Sequence, residues 1–201
     1  MRLAVDLGKL AEESKIGDSI AINGVCLTVA QLRGSLAEFD VSSETLAKST
    51  LGKLKSSSPV NTEPAMKATD RFGGHFVLGH VDGVATIKAI SRKGRLTAER
   101  QGQFADIKFA ANPRLLAQMV VKGSVAVDGI SLTIADMMDE EGFSVSIIPE
   151  TLKKTTLGVA KIGDTVNIET DIIIKTIKKQ LEKILPAEQK LTAERLKELG
   201  F

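Results

Sequence analysis

Short stretches of alternating hydrophobic and polar residues dominate the chain as far as residue 171. Residues 19–30, SIAINGVCLTVA, alternate with a period of two and are rich in β-branched side chains, with Asn-Gly at their centre. FSVSII and TVNIET follow the same pattern, and glycine-containing segments supply turns. Each half has one short helical segment, GKLAEES or PRLLAQMV. The pattern predicts a mainly β protein in which each half closes into a small barrel, because closure removes unpaired strand edges.

The two halves of the chain repeat each other. An offset of 105 places residues 19–29 (SIAINGVCLTV) over 124–134 (SVAVDGISLTI), with five of eleven positions identical. An offset of 106 places residues 41–52 (VSSETLAKSTLG) over 147–158 (IIPETLKKTTLG), with seven of twelve identical, and also pairs PVNTE with TVNIE. Matches at nearly constant offset indicate a duplicated unit.

The pattern changes after residue 171 to IIIKTIKKQLEKIL, which predicts a helix. Four of its apolar residues are spaced 3-4-3, as in a heptad seam: Ile174, Ile177, Leu181 and Ile184. Isoleucine-rich seams favour three-stranded assemblies, although so short a seam needs other contacts; the alternative is a helix that lies on its own barrel. Pro186 is expected to end it, and LTAERLKELGF to form a second helix that stops at Gly200.

Composition narrows the class of protein. The chain is 43% hydrophobic and 26% charged, a globular balance. Its net charge of +2, without a dense basic block, and its lack of Tyr and Trp argue against a nucleic-acid partner. One cysteine makes no internal disulfide, which fits a reducing compartment. The amino end places acids where a signal peptide needs an apolar core, and no apolar run is long enough for a membrane span. We expect a cytoplasmic protein with no membrane partner.

Small polar side chains concentrate in the matched segments. NGVCLT and DGISLT each present a thiol or hydroxyl two residues before a threonine, so both side chains face one side of a strand. Between the repeats, GGHFVLGHVDG carries His75 and His80 among four glycines, which let backbone N–H groups approach a ligand. This set suits a flat heterocycle with amide edges. It contains no phosphate-binding loop and no zinc-ligand spacing.

Each of these residues also has a structural explanation. Cys26 alternates into a strand and would serve as a small buried hydrophobe. Ser131 would satisfy backbone groups of a turn, and His75 and His80 would be hydrogen-bonded loop residues. Asp171 would cap the C-terminal helix. The functional interpretation depends on the position of these residues at equivalent points of a duplicated unit.

The ordered set NGVCLTV, SSETL, TLG, GGHFVLGHVDG, VAVDGISLT, IPETLKKTTLG and VNIETD resembles riboflavin synthase, across residues 1–171. The resemblance implies two six-stranded Greek-key-like β-barrels, at residues 1–75 and 76–171, and a C-terminal helical oligomerisation segment at 172–201 that supports a homotrimer. It implies a transferase that dismutates two molecules of 6,7-dimethyl-8-ribityllumazine to riboflavin and 5-amino-6-ribitylaminopyrimidinedione by four-carbon transfer. No cofactor or metal is implied, and lumazine synthase is a further candidate partner.

The resemblance also implies two substrate pockets. The first pocket would be lined by Ser19, Cys26, Leu27, Thr28, Asp40, Val41, Ser42, Ser43, Glu44 and Thr45. The second would be lined by Gly79, His80, Val81, Lys122, Ser131, Leu132, Thr133, Ser146, Ile147, Ile148, Pro149, Glu150 and Thr151. His80 is the candidate carrier of the acidic proton of the lumazine 7-methyl group. Cys26 or Ser131 would add to, or hydrogen-bond at, the electrophilic ring carbon, and Asp171 would orient a ribityl chain or a partner side chain.

The front of the first unit is short. His80 and Asp128 are 48 positions apart, whereas only 22 residues precede Asn23. VDGVATIKAI and the hairpin after it have no evident counterpart, so the first barrel is expected to lack its opening two strands, where the family has an MFTGI-like stretch. A start codon placed at an internal Met is the favoured explanation, beside a truncated form and a leader strand supplied otherwise. Unpaired edges predict poor activity or misassembly.

Two other classes of protein compete with the enzyme. A non-catalytic lumazine- or flavin-binding protein of the same fold would tend to lose the reactive residues, whereas Cys26, His80, Ser131 and Asp171 are all present. A barrel domain of a flavin-dependent oxidoreductase would need an attached nucleotide-binding domain with a glycine-rich loop, for which no residues are left.

Overall fold

The computed structural model describes residues 1–71, 73–94, 102–138 and 141–184. The strands of these residues are β1 (Arg2–Asp6), β2 (Ser19–Ile22), β3 (Val25–Arg33), β4 (Leu36–Asp40), β5 (Thr62–Pro64), β6 (Gly83–Lys93), β7 (Phe104–Ala111), β8 (Ser124–Val127), β9 (Ile130–Met138), β10 (Gly142–Ile147) and β11 (Thr165–Thr170). The α-helices are α1 (Ser43–Lys48), α2 (Pro113–Leu116), α3 (Pro149–Lys154) and α4 (Ile172–Ile184). Short 3-10 helices span Gly8–Glu12, Leu51–Lys53 and Thr156–Gly158.

Two antiparallel sheets hold these strands. The first, here the open sheet, has the order β1-β4-β3-β2-β5, and the second, here the closed barrel, has the order β10-β7-β6-β11-β8-β9. The prediction of a mainly β, duplicated fold with an incomplete first unit and a C-terminal helix is therefore confirmed. The two helical segments of the repeat are the 3-10 helix Gly8–Glu12 and the single turn of α2.

The expectation that the first unit lacks two strands is wrong by one strand. β1 pairs with β4 (Arg2↔Asp40) as β7 pairs with β10 (Asp106↔Ser146). The described residues of the first unit therefore lack a counterpart of β6 alone. The internal sequence repeat does not reveal β1, because β1 shares only its in-out alternation with β7 and no sequence motif, and alternation is all that strand pairing requires.

Each sheet has its own apolar core, as period-two alternation requires. In the closed barrel, the Phe109 and Phe143 rings stack with centroids 5.1 Å apart, and neither side chain is exposed. In the open sheet, Phe39, Ile22 and Leu51 are equally inaccessible.

The two units join through reciprocal hydrogen bonds of two asparagines. The Asn61 amide donates to the Asp128 carbonyl (3.0 Å), and the equivalent Asn167 amide donates to the Asn23 carbonyl (2.8 Å). Each amide oxygen also accepts a backbone N–H of the opposite unit: Asn61 from Thr156 (2.9 Å) and Asn167 from Thr50 (2.7 Å). Because every member has a partner, this seam holds the units in one relative orientation.

The matched Asn-Gly and Asp-Gly turns meet at this seam. Asn23 (φ 45°) and Asp128 (φ 46°) are both left-handed, as are Gly24 and Gly129 after them, which is the conformation of a type I′ hairpin turn. A Cβ atom on Gly24 would overlap the Gly129 backbone, so the turns approach this closely only with glycine in place.

Helix α4 begins at a capped turn and lies partly against the closed barrel. The Asp171 carboxylate accepts the Ile173 N–H (2.9 Å). Lys175 Nζ lies 2.8 Å from the Asp82 carboxylate, with both side chains about one-fifth exposed. The structural interpretation of Asp171 as a helix cap is therefore correct, and one face of the helix does contact its own barrel.

The other face of α4 carries a stripe of half-exposed side chains, Ile173, Ile177 and Leu181. Of the predicted seam, Ile177 and Leu181 lie in this stripe and Ile174 is partly buried. The Ile184 side chain, Pro186 and the predicted second helix lie outside the described residues. No helix in the described ranges is long and apolar enough to cross a membrane.

Candidate functional site

The polar residues of the matched segments lie on the outer face of each unit. In the open sheet, Ser19 pairs across the strands with Thr28, and Cys26 follows on the same face. In the closed barrel, Ser131 and Thr133 occupy the equivalent positions. The intervening residues point the other way: Leu27 is 6% exposed and packs into the core, and Leu132 packs against its own core. Alternation therefore places the reactive groups on the surface and leucine inside.

Several predicted pocket residues already have structural partners. The Ser42 hydroxyl accepts the Thr45 N–H (3.1 Å) and so caps α1, and the two hydroxyls lie 2.9 Å apart. The Arg2 guanidinium holds both oxygens of Asp40 at 3.1 Å and lowers the pKa of that carboxyl. In the equivalent place of the closed barrel, the Ser146 hydroxyl donates to Asp106 (2.6 Å).

A cavity of about 930 Å³ opens between the two units and the segment that connects them. It brings together four of the predicted pocket residues, namely Ser19, Cys26, Gly79 and Ser131. The segments 40–45 and 146–151 and the side chain of Lys122 are not among its walls. The structure thus joins the reactive positions of the two predicted pockets in one cleft and leaves the loops of those pockets outside it.

His75 contacts Ser131 within this cleft. Its Nδ1 lies 2.8 Å from the Ser131 hydroxyl oxygen, and its Nε2 is buried with no hydrogen-bond partner among the described residues. Burial lowers the pKa of His75, although the Asp171 and Glu169 carboxylates oppose the shift. The imidazole is therefore neutral at neutral pH, with Nδ1 on the Ser131 hydroxyl and Nε2 buried.

His80, the histidine predicted to carry the proton, is exposed, and its backbone N–H is bound by Glu169. Sequence reasoning considered His75 but gave it no role, because nothing in a glycine-rich loop indicates which of two histidines faces the neighbouring strand. Its placement on Ser131 depends on residues 56 positions apart.

Glu169 is a residue that sequence reasoning missed. Its carboxylate is 3% exposed and accepts the backbone N–H groups of Leu78 (2.7 Å), Gly79 (2.9 Å) and His80 (3.1 Å). Hydrogen bonds to a charged acceptor are among the stronger ones in proteins, so this loop is held against the closed barrel. The repeated acid at the end of PVNTE and TVNIE is the signal that could have pointed to it.

The loop held by Glu169 also contacts the first unit. The Gly79 carbonyl accepts the Cys26 N–H (2.9 Å), and Val81 packs against the core of the open sheet. Gly79 has φ 77°, and a Cβ atom there would overlap Cys26, so glycine is required. Residues 79–81, predicted for the second pocket, therefore lie between the two units.

Lys122 adopts an unfavourable backbone conformation, with φ 66°. Its N–H donates to the Ile134 carbonyl. Its counterpart Gly17, with φ 93°, donates its N–H to the Val29 carbonyl in the same way. A side chain in this left-handed region costs roughly 1 kcal/mol relative to glycine.

The comparisons with known proteins agree with this duplicated architecture. The family described as "Lumazine binding domain" matches residues 2–65 and 78–171. The chain is 44% identical to the riboflavin synthase of Actinobacillus pleuropneumoniae, in an alignment that covers 99% of this chain and 89% of the relative. It is 40% identical to that of Bacillus subtilis, over 100% of this chain and 90% of the relative.

The superposition on the crystal structure of LumP complexed with riboflavin covers 84% of this chain and 87% of the LumP chain, with a TM-score of 0.74 and 22% sequence identity. At that identity the likeness concerns the fold. The chain therefore belongs to the lumazine-binding domain family, which includes the riboflavin synthases.

Proposed function

We propose that this chain is a riboflavin synthase, a transferase that moves a four-carbon unit between two molecules of 6,7-dimethyl-8-ribityllumazine. The observation that carries the proposal is the presence of Cys26 and Ser131 at equivalent positions of two linked lumazine-binding units. Two identical substrates need two similar pockets, and the thiol and hydroxyl make those pockets unequal. Sequence identities of 44% and 40% to two riboflavin synthases, over 99% and 100% of this chain, support the same activity.

Proton transfer in the second pocket is assigned to the pair of Ser131 and His75. The neutral imidazole contacts the Ser131 hydroxyl through Nδ1, and this pair would take up the proton of the acidic 7-methyl group of a bound lumazine. Cys26 lies on the first unit's side of the cleft, and its free thiol would add to or hydrogen-bond at the electrophilic ring carbon of a lumazine bound there. His80 remains the alternative proton carrier.

A homotrimer in the cytoplasm is part of the same proposal. The half-exposed stripe of Ile173, Ile177 and Leu181 on α4 is suited to pack against copies of itself. The polar residues on the outer faces of both units are open to a neighbouring subunit, which would cover the substrates and hold the two rings close together. Lumazine synthase is a proposed further partner, because its product would be this enzyme's substrate.

The decisive experiment incubates the purified chain with 6,7-dimethyl-8-ribityllumazine and follows riboflavin by absorbance and product analysis. His75→Gln and His80→Gln are measured beside the wild type, and binding is read from ligand fluorescence, since the chain has no tryptophan. We expect riboflavin from the wild type, at least tenfold slower turnover in His75→Gln with unchanged binding, and a smaller effect in His80→Gln.

The second candidate function is a non-catalytic lumazine- or flavin-binding protein, which the likeness to LumP favours. Tight lumazine binding without any riboflavin would establish it and reject the synthase. Equal turnover in the wild type and both histidine variants would retain the enzyme but remove both proton-transfer assignments.

A further inference from the structure

The loop of residues 78–80 is attached to the closed barrel through the carboxylate of Glu169. One oxygen of this carboxylate accepts the Leu78 N–H, and the other accepts the N–H groups of Gly79 and His80. Glu169 belongs to β11 and is 3% exposed, so it has little freedom to move. Three consecutive backbone groups on one buried, charged acceptor therefore fix the path of this loop.

The same loop pairs with the edge of β3 at Cys26. Ile22 and Val25 close the hairpin between β2 and β3, so the N–H of the next residue, Cys26, points away from β2. On that other edge, the pairing of β3 with β4 begins at Val29. The Gly79 carbonyl accepts the Cys26 N–H at 2.9 Å. A Cβ atom on Gly79 would overlap Cys26, so this contact leaves no slack between the loop and the strand.

We propose that Glu169 is a positioning residue for Cys26. By holding residues 78–80 on the closed barrel, Glu169 sets where the thiol-bearing strand of the first unit lies relative to the second unit. The inference rests on the proposed function, in which the Cys26 thiol acts at the ring carbon. Cys26 and Ser131 line the same cleft from different units, so their separation depends on the contacts that join the units. A misplacement of about 1 Å can cost on the order of a hundredfold in rate.

A second attachment of the same loop provides a matched control. The Asp82 N–H donates to the Ile168 carbonyl (2.8 Å), and the Asp82 carboxylate accepts the N–H (2.8 Å) and the hydroxyl (2.9 Å) of Thr170. Thr170 is 1% exposed and follows Glu169 directly in β11. Thr170→Val therefore weakens the same loop at an equally buried position, but leaves the three N–H groups on Glu169 in place.

Hydrogen exchange of the 201-residue chain without ligand gives the first measurement. Glu169→Gln keeps one acceptor oxygen but loses the charge and the second acceptor oxygen. We expect the Cys26 amide to exchange about tenfold faster in Glu169→Gln, and within about twofold of the wild type in Thr170→Val. The amide of Phe109, in the core of the closed barrel, reports any loss of overall stability in either variant.

The Cys26 thiol and the turnover give two further measurements. Cys26 is the single cysteine of the chain, so alkylation by iodoacetamide reports its surroundings directly. Alkylation should be about fivefold faster in Glu169→Gln, since the loop no longer lies firmly against Cys26, and unchanged in Thr170→Val. With 6,7-dimethyl-8-ribityllumazine, kcat should fall about tenfold in Glu169→Gln while KM stays within about threefold. Glu169→Asp, which keeps the charge, should recover part of kcat.

Three results would overturn the proposal. The first is a Cys26 amide and thiol that react in Glu169→Gln as they do in the wild type. The second is equal acceleration of both in Thr170→Val, which would assign Glu169 to stability alone. The third needs no variant and holds even if Glu169→Gln does not fold: rapid exchange of the Leu78 and Gly79 amides in the wild type. Exchange and alkylation require no substrate, so they decide this proposal separately, whereas a wild type that makes no riboflavin rejects the proposed function.

Discussion

Replacing Asp128 by asparagine is expected to stabilise this protein at neutral and alkaline pH. Asp128 is 7% exposed, and its Oδ1 accepts the Asn167 N–H at 2.7 Å. Asn23, its counterpart in the first unit, is 6% exposed and accepts the Asn61 N–H at 2.8 Å with an uncharged amide oxygen. The duplication therefore provides an internal precedent for asparagine at this position. Asparagine also tolerates the left-handed conformation.

The expected magnitude follows from the pKa of Asp128. Burial raises it from 3.8 to about 7, with the Asn167 N–H acting in the opposite direction. A group whose folded pKa is raised favours the folded state while it is protonated. That contribution is complete below pH 3.8 and is lost as the pH rises to about 7. At 1.36 kcal/mol per unit, the full loss is on the order of 4 kcal/mol, and relaxation around the turn reduces it. We expect Asp128→Asn to gain roughly 1–4 kcal/mol at about pH 8 and little at about pH 4.

The assay is urea unfolding followed by far-ultraviolet circular dichroism, because the chain has neither Trp nor Tyr for intrinsic fluorescence. Wild type and Asp128→Asn are compared across this pH range, so that other titrating groups cancel in the difference of unfolding free energies. The matched control is Asn23→Asp, which should introduce the same pH-dependent destabilisation into the first unit.

Two results would refute the reasoning. A gain in Asp128→Asn that is equal at both pH values would show that the carboxyl does not titrate as burial requires. An Asn23→Asp variant with no pH-dependent loss of stability would show that this environment accepts a charge.

Three further substitutions test other parts of the account. Lys122→Gly should raise the unfolding free energy by roughly 1 kcal/mol and weaken lumazine binding. Ser57→Gly, also at positive φ, should stabilise similarly without affecting binding. Weakened binding in both variants would remove the predicted role of Lys122 in the substrate pocket. Ile177→Glu should abolish the proposed trimer in sedimentation velocity, and Lys179→Glu on the same helix should not. A trimer that persists in Ile177→Glu would exclude the stripe as its interface. Glu169→Gln should lower the unfolding free energy measured in urea by roughly 2–4 kcal/mol, since buried N–H donors lose their charged acceptor. A decrease below about 1 kcal/mol would contradict the role of Glu169 in holding the loop.

The sequence by itself determined the duplicated β architecture. Period-two alternation places Leu27 inside and Thr28 outside whatever the rest of the fold does, because successive side chains of a strand point to opposite faces. Asn23 and Asp128, each followed by glycine, specify tight hairpins because the left-handed region is open to these residues. The matched positions of Cys26 and Ser131 follow from these two local rules.

Only the tertiary structure decided the number of strands and the contacts of the site. β1 counts as a strand because β4 pairs with it, and a strand without a sequence motif is recognised by its partner. Glu169 reaches the Leu78 N–H across 91 positions, and His75 reaches Ser131 across 56. These contacts depend on the path of the linker between the units. That path leaves no periodic signal in the sequence, because it is set by packing and hydrogen bonds between distant residues.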